Sequence, residues 1–173
     1  MDKFRNYDVE FSGLKTGKYE FRFEIDKAFF ALFDAEQEFS NPRIVADVLL
    51  EKHTTFLDFR IKTTGIVTLV CDITAEDFDY PIKNELQVLV NFGEEYDDSN
   101  EEVITIPVHD HAFNVANLIY ENVVLAIPMK KISPNATEED FKIIEKFNAS
   151  EPIKTEEISD PRWDALKKLK DNN

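Results

Sequence analysis

Between residues 18 and 25 the chain alternates strictly. Tyr19, Phe21, Phe23 and Ile25 share one face, and Lys18, Glu20, Arg22 and Glu24 share the other. A period of two marks a half-buried strand. The same beat starts earlier, at Tyr7, Val9 and Phe11, before Gly13 and Gly17 bracket a turn. It returns in residues 43–53 and 55–65, which read as two strands around a turn near His53, Thr54 and Thr55. In the second of these Leu57, Phe59 and Ile61 point inward, with Asp58 and Arg60 outward. Two further strands are expected within residues 66–82 and 84–92, and another in 103–108, with Ile104, Ile106 and Val108 on one side. Consecutive strands with short polar links favour an antiparallel sheet that curls or closes over alternating βαβ units.

The period lengthens elsewhere. Residues 26–34 read as a short helix. A longer one is expected near 113–127, where Val115, Leu118, Ile119 and Asn122 follow a helical spacing and Pro128 stops it. In residues 137–148, Thr137 stands three positions before Asp140, a capping-box pattern, and Phe141, Ile144 and Phe147 form a stripe. A last helix begins at Asp160, which can cap it, with Pro161 in the first position. Trp163, Leu166 and Leu169 make its apolar stripe, and Lys167, Lys168 and Lys170 crowd its end, where cations are favoured. The expected fold is α+β: a mainly antiparallel, strongly curled or barrel-like β-sheet body with a packed helix and a helical C-terminal tail. One β-rich domain would span 1–132, and 133–173 would hold a linker, short helices and a docking segment.

Composition narrows the function. The chain has 173 residues, 43% hydrophobic and 15 of them Phe, which suffices for one real core. Lys and Arg number 20 against 35 Asp and Glu, a net charge of -15. So acidic a surface repels phosphate backbones, so nucleic-acid binding is expected to be weak or absent; it suits basic protein partners, or plain solubility. Six acidic residues fall in positions 94–102, among them Glu94, Glu95, Asp97 and Asp98, and this run reads as a solvated or disordered loop at the sheet's edge. The single cysteine, Cys71, permits neither an intrachain disulfide nor a multi-cysteine metal site. The start of the chain lacks the basic and apolar regions of a signal peptide, and no stretch approaches the roughly 20 apolar residues of a membrane helix. The cytoplasm is the expected compartment, with no membrane partner.

Candidate chemistry is sparse. His109, Asp110 and His111 place two imidazoles and a carboxylate together, a combination that could hold a metal. Neighbours at i and i+2 diverge on a helix, however, and no second ligand cluster or H-E-x-x-H pattern accompanies them; a plain strand-to-helix connection is the simpler reading. No nucleophile elbow, P-loop or dinucleotide fingerprint is present. No enzyme activity and no cofactor are expected.

Several residues, in order, do suggest a relationship. Cys71-Asp72 follows an alternating strand; Tyr120-Glu121 precedes Leu125-Ala126-Ile127-Pro128; Asp160-Pro161-Arg162-Trp163 precedes Leu166 and Leu169. From about Phe56 to Leu169 this resembles the YceD family, bacterial and plastid proteins linked to accumulation of large-subunit ribosomal RNA. The resemblance implies a cytoplasmic role in making the large ribosomal subunit and no established reaction. It also implies, as partner, a large-subunit precursor or a basic ribosomal protein, because family genes often stand beside that of a small zinc-ribbon protein of that subunit. Many family members carry C-x-x-C after this strand, whereas here Thr74 takes the second place. Thr cannot replace a thiolate, so Cys71 reads as a buried small hydrophobe.

Two readings follow. One is a non-enzymatic ribosome-biogenesis factor supporting large-subunit (23S) rRNA accumulation through protein contacts. Its partner-binding residues would be Glu94, Glu95, Asp97 and Asp98 in the acidic run and Asp160, Pro161, Arg162, Trp163, Leu166 and Leu169 in the last helix. The other is a metal-dependent hydrolase or nuclease using His109, Asp110 and His111. The last helix either docks on a partner or packs on its own domain; its polar tether and strong caps favour docking.

Overall fold

The computed structural model describes residues 3–100 and 102–148, with side chains described through residue 143. The chain divides into two units between Pro134 and Asn135. In the first, a 3-10 turn (Lys3–Tyr7) leads into β1 (Asp8–Glu10), β2 (Gly17–Ile25), α1 (Lys27–Phe30) and the long strands β3 (Ser40–Lys52), β4 (Phe56–Val70) and β5 (Asp77–Gly93). There follow β6 (Asp97–Asn100), β7 (Val103–Pro107), β8 (Ala112–Asn114) and α2 (Ala116–Val124).

The alternation seen in the sequence sets the faces of the main sheet. Phe59 pairs with Leu50 on one side and Val88 on the other, and Ile61 with Val48 and Leu86. All but Leu86 are buried, and Leu86 packs against the core half-buried. On edge strand β2 the same phase holds, but Tyr19, Phe21 and Phe23 are only half-buried and Ile25 alone is fully enclosed. The expected turn after β3 closes with the His53 N–H donating to the Phe56 carbonyl at 3.0 Å. The short helix α1 begins at Asp26, whose carboxylate accepts the N–H groups of Ala28 and Phe29.

The strand order is β2-β3-β4-β5-β7-β6, with a separate β1–β8 pair. The sheet is therefore open and mixed, which corrects the expectation of a strongly curled or barrel-like body. Closure needs the two terminal strands to pair and the interior to be filled by the sheet's own side chains. Here β2 and β6 end the ladder at opposite edges, and β6 is exposed along its whole length. The apolar face is covered instead by other elements. Phe29 and Phe30 of α1, Val9 of β1, Phe113 of β8 and Ile119 and Val123 of α2 join one core with β3, β4 and β5. Among the described residues the one parallel pair is β5 with β7, limited to residues 89–93 of β5. It arises because β6 and β7 form a hairpin whose second strand, not its first, lies against β5.

Three finer expectations also change. Residues 55–92 form two strands where three were expected, since β4 runs through Gly65 and the break falls at Cys71 to Glu76. Pro81 lies within β5, where that strand has β4 on one side only. An edge stretch tolerates a residue without an N–H. Val108 does not share the buried side with Ile104 and Ile106: β7 ends at Pro107 and Val108 is exposed.

The helix expected near 113–127 is shorter. Residues 112–114 form β8, and after Val124 the chain tightens, with Ala126 donating to Val123 and Ile127 to Val124 before Pro128. One member of its stripe is polar. Asn122 is buried, and its Nδ2 donates to the Ile61 carbonyl at 3.2 Å and to Thr63 Oγ1 at 3.3 Å. Asn84 Nδ2 donates to the Asn122 carbonyl at 3.0 Å. These bonds fix α2 over β4 and β5, and among the described residues no buried side-chain nitrogen or oxygen lacks a partner, which is what makes a buried amide tolerable.

The second unit contains α3 (Glu138–Asn148). Its capping box is formed as expected: the Thr137 N–H donates to Asp140 Oδ2 at 2.8 Å, and the Asp140 N–H meets Thr137 Oγ1 at 3.4 Å. Phe141 of the stripe is exposed.

Candidate functional site

Part of the acidic run is a strand where a loop was expected: Asp97–Asn100 is β6, one arm of a hairpin with β7, and Glu94, Glu95 and Tyr96 link it to β5. β6 pairs with β7 from Asp97, opposite Thr105, to Asn100, opposite Val103. Short polar side chains fold its backbone. Asp97 Oδ1 accepts the Ser99 N–H at 2.9 Å, which holds the Asp97 carboxyl below its ordinary range, and Asn100 Oδ1 accepts the Glu102 N–H at 2.9 Å. Glu94, Glu95, Asp97 and Asp98 are all exposed. The other expected contact residues, Asp160, Pro161, Arg162, Trp163, Leu166 and Leu169, lie outside the described residues.

The hairpin forms one wall of an open trough of about 610 Å³, which sequence reasoning did not anticipate. The opposite wall is α2, through Asn117 and Glu121, and the third side is β5 at Asn84 and Glu85. Leu86, Ile104, Phe113 and Leu118 supply its apolar floor. A smaller hollow continues from it past Asp8 and Asp110, sharing Tyr96, Phe113, Asn114 and Asn117. Among the described residues no Lys, Arg or His lines either part. Tyr96 stands at the junction, its hydroxyl 3.3 Å from Asp98 Oδ2. Its phenol is pushed above the usual value, first by burial and then by the charges of Asp98 and Glu121. The one available signal was the aromatic residue inside an acidic run; the contribution of Glu121 depends on how α2 lies and has no local signature.

His109, Asp110 and His111 occupy an exposed turn between β7 and β8. Backbone geometry accounts for their place. The Asp110 N–H donates to the Pro107 carbonyl, and the His111 carbonyl accepts from Phe11 and Ser12 at 3.0 and 3.2 Å, holding the end of β1. Among the described residues no three His, Cys, Asp or Glu side chains lie where they could hold a metal ion. The hydrolase reading thus lacks a ligand set there, and the plain connection remains.

Cys71 is buried, as expected, yet it is more than a small hydrophobe. It opens a turn in which its N–H donates to the Glu76 carbonyl at 2.8 Å and the Ala75 N–H returns to the Cys71 carbonyl at 2.9 Å. Ala75 closes the turn at φ 56°, a left-handed position uncommon for a residue with a Cβ. The turn grips the chain after α2: the Ser133 N–H donates to Cys71 Sγ at 3.2 Å, the Lys131 N–H to Asp72 Oδ2 at 2.7 Å, and the Asp72 N–H to the Lys131 carbonyl at 2.7 Å. A hydrogen bond with the Thr74 side chain is the largest of the effects that bring the Cys71 thiol down from an ordinary 9.0 to about 7, with the Ser133, Thr74 and Ile73 backbones adding to it against burial. Three positions after Cys71, Thr74 thus supplies a hydroxyl that stabilises its thiolate.

A thiol more acidic in the folded than in the unfolded chain makes folding more favourable as pH rises, because the unfolded state then holds the extra proton. Between pH of about 7 and the ordinary value of 9.0, stability should therefore increase. Urea midpoints measured across that window should rise in the natural protein and lose that component in Cys71→Ala. Thr74→Val should shift the thiolate absorbance titration upward; an unmoved titration would remove Thr74 as the cause.

Among the described residues no helix is long and apolar enough to cross a membrane. A family model described as "Large ribosomal RNA subunit accumulation protein YceD" matches residues 59–170, more than half of the chain, beginning within β4. No curated protein and no solved structure matches.

Proposed function

The chain belongs to the YceD family, and on that basis we propose that it supports accumulation of large-subunit (23S) ribosomal RNA without catalysis. It acts through protein contacts on the assembling large subunit, in the cytoplasm, and touches nucleic acid weakly or not at all. The observation that carries this reading is the stretch from Glu94 to Asn100, which runs into β6 with Glu94, Glu95, Asp97 and Asp98 all exposed to solvent. Such a surface raises the encounter rate with a basic ribosomal protein and rejects phosphate backbones. Residues 133–173 serve as an appended docking region. Within it, Trp163, Leu166 and Leu169 offer apolar anchors, and Asp160, Pro161 and Arg162 stand beside them in sequence as further contact residues. Trp and Arg are the types that most often dominate interface energies.

Deletion of residues 160–173 tests this. The melt of the remaining protein should stay within a degree or two, by the roughly 4–8 °C per kcal/mol of a small domain, while co-sedimentation with large-subunit precursors is lost. A fall in melting temperature of about 10 °C or more would make Trp163 a core residue and end the docking role. Undiminished co-sedimentation of the truncated chain would remove the segment from the interface.

A further inference from the structure

Charge is segregated on the first unit. On the sheet face turned from the core, cations and anions answer each other across strands. Lys18 lies 3.4 Å from Glu51, Arg22 3.8 Å from Asp47, Arg43 3.8 Å from Asp79 and Arg60 3.7 Å from Glu85. In the trough between α2 and the acidic hairpin that balance is gone. Of the carboxylates around it, Glu85 is met by Arg60, and Asp8 by the Asn114 amide at 2.6 Å. Asp98, Asp110 and Glu121 face no cation among the described residues.

The arrangement selects its occupant by chemistry. A polyanion is repelled. A single metal ion finds no three ligands together among the described residues. Cations spaced along a chain fit: their ammonium or guanidinium groups reach the separate carboxylates, and their aliphatic stems lie on the floor of Leu86, Ile104, Phe113 and Leu118. Shape agrees. Along residues 77–88, β5 pairs among the described residues with β4 only, and β7 takes up its other side from Leu89 onward. The trough passes this open stretch at Asn84, Glu85 and Leu86, so a chain in extended form could lie in line with β7.

We propose that the trough seats an extended, lysine- or arginine-rich segment of a protein partner, its cations over Asp98, Asp110 and Glu121 and its backbone beside the open stretch of β5. This rests on the reading of the protein as an assembly factor that works through protein contacts, and it gives that reading a second and more specific surface than the exposed carboxylates at 94–98.

The full chain is titrated into a fluorescein-labelled peptide of repeating Lys-Leu-Lys-Gly, about eight residues and roughly 26 Å when extended, and anisotropy is followed. Binding should weaken as salt rises and fall at least about tenfold in the double variant D98N/E121Q, the loss of some 1.4 kcal/mol. The double variant E20Q/E24Q removes the same charge from the outer face of β2, at the far edge of the sheet, and should stay within about twofold. All four side chains are exposed, and thermal melts verify that both proteins fold. Equal losses in the two variants would overturn the proposal, since net charge alone would then explain binding. So would tighter binding of a ribosomal RNA fragment than of the peptide. Peptide binding that depends on Asp98 and Glu121, in a protein that never captures large-subunit precursors, would uphold the trough and refute the assembly role. Capture of precursors by D98N/E121Q at the natural level would do the reverse.

Discussion

Phe59→Ala should lower the stability of the protein by about 3–5 kcal/mol, the usual cost of truncating an enclosed Phe. Phe59 has no exposed surface. It lies on β4, an interior strand, between Leu50 of β3 and Val88 of β5. Its ring is 5.0 Å from that of Phe113, so it also ties the main sheet to the small β1–β8 pair. Truncation removes the transfer free energy of the ring and opens a cavity that strands hydrogen-bonded on both sides cannot collapse into. Phe21 is the internal comparison. It has the same residue type and sheet face, but lies half-buried on edge strand β2. Phe21→Ala should cost about 1–2 kcal/mol, in proportion to the smaller area removed from water. Urea unfolding of both variants decides it. Equal midpoints, or a Phe59→Ala shift below about 1 kcal/mol, would mean that β4 does not lie in the sheet's interior.

The second large effect comes from adding atoms. A Cβ on Gly65 would stand 2.2 Å from the Arg43 carbonyl oxygen and 2.6 Å from the Ile44 Cα. Both are backbone atoms, so no side-chain rotation relieves the clash. Strand β3 must move away from β4, next to the register shift already present between Ser40 and Arg43. Gly65→Ala should therefore cost about 3 kcal/mol, the upper end for overpacking. Gly13→Ala is the control. Nothing lies within 4 Å of the added carbon there, and the change should stay within about 0.5 kcal/mol. If Gly65→Ala proves equally silent, the close approach of β3 and β4 is wrong.

The metal reading and the acidic-run reading fared differently for a physical reason. His109, Asp110 and His111 are adjacent in sequence, but a ligand set also needs groups from elsewhere in the chain, and the turn brings none among the described residues. Glu94, Glu95, Asp97, Asp98 and Glu102 needed no distant partner to be exposed, so their placement on the surface followed from composition. Their order did not: it depends on β7 lying where β6 can pair with it.

What the chain determines locally was legible from residue types alone. Strict alternation fixed which side of β2 and β4 faces the core, because side chains of a strand alternate by geometry. Asp26 before α1, and Thr137 with Asp140 before α3, set their helix starts through bonds spanning two or three residues. Resemblance over the second half of the chain pointed to the family that the match at residues 59–170 shows. Tertiary structure decided the rest. A period of two says which face is buried but not which strand lies alongside, so an open mixed ladder and a closed antiparallel one look alike in sequence. The parallel β5–β7 pair, the unbroken course of β5 through Pro81 and the tight contact at Gly65 all come from long-range pairing. The lowered thiol of Cys71 needs the chain to return at Ser133 as well as Thr74 nearby. Glu121 and Asp98 face one trough only because Asn122 fixes α2 against β4 and β5. Contacts between residues distant in sequence leave no periodic trace, since each partner's own neighbours are indifferent to them.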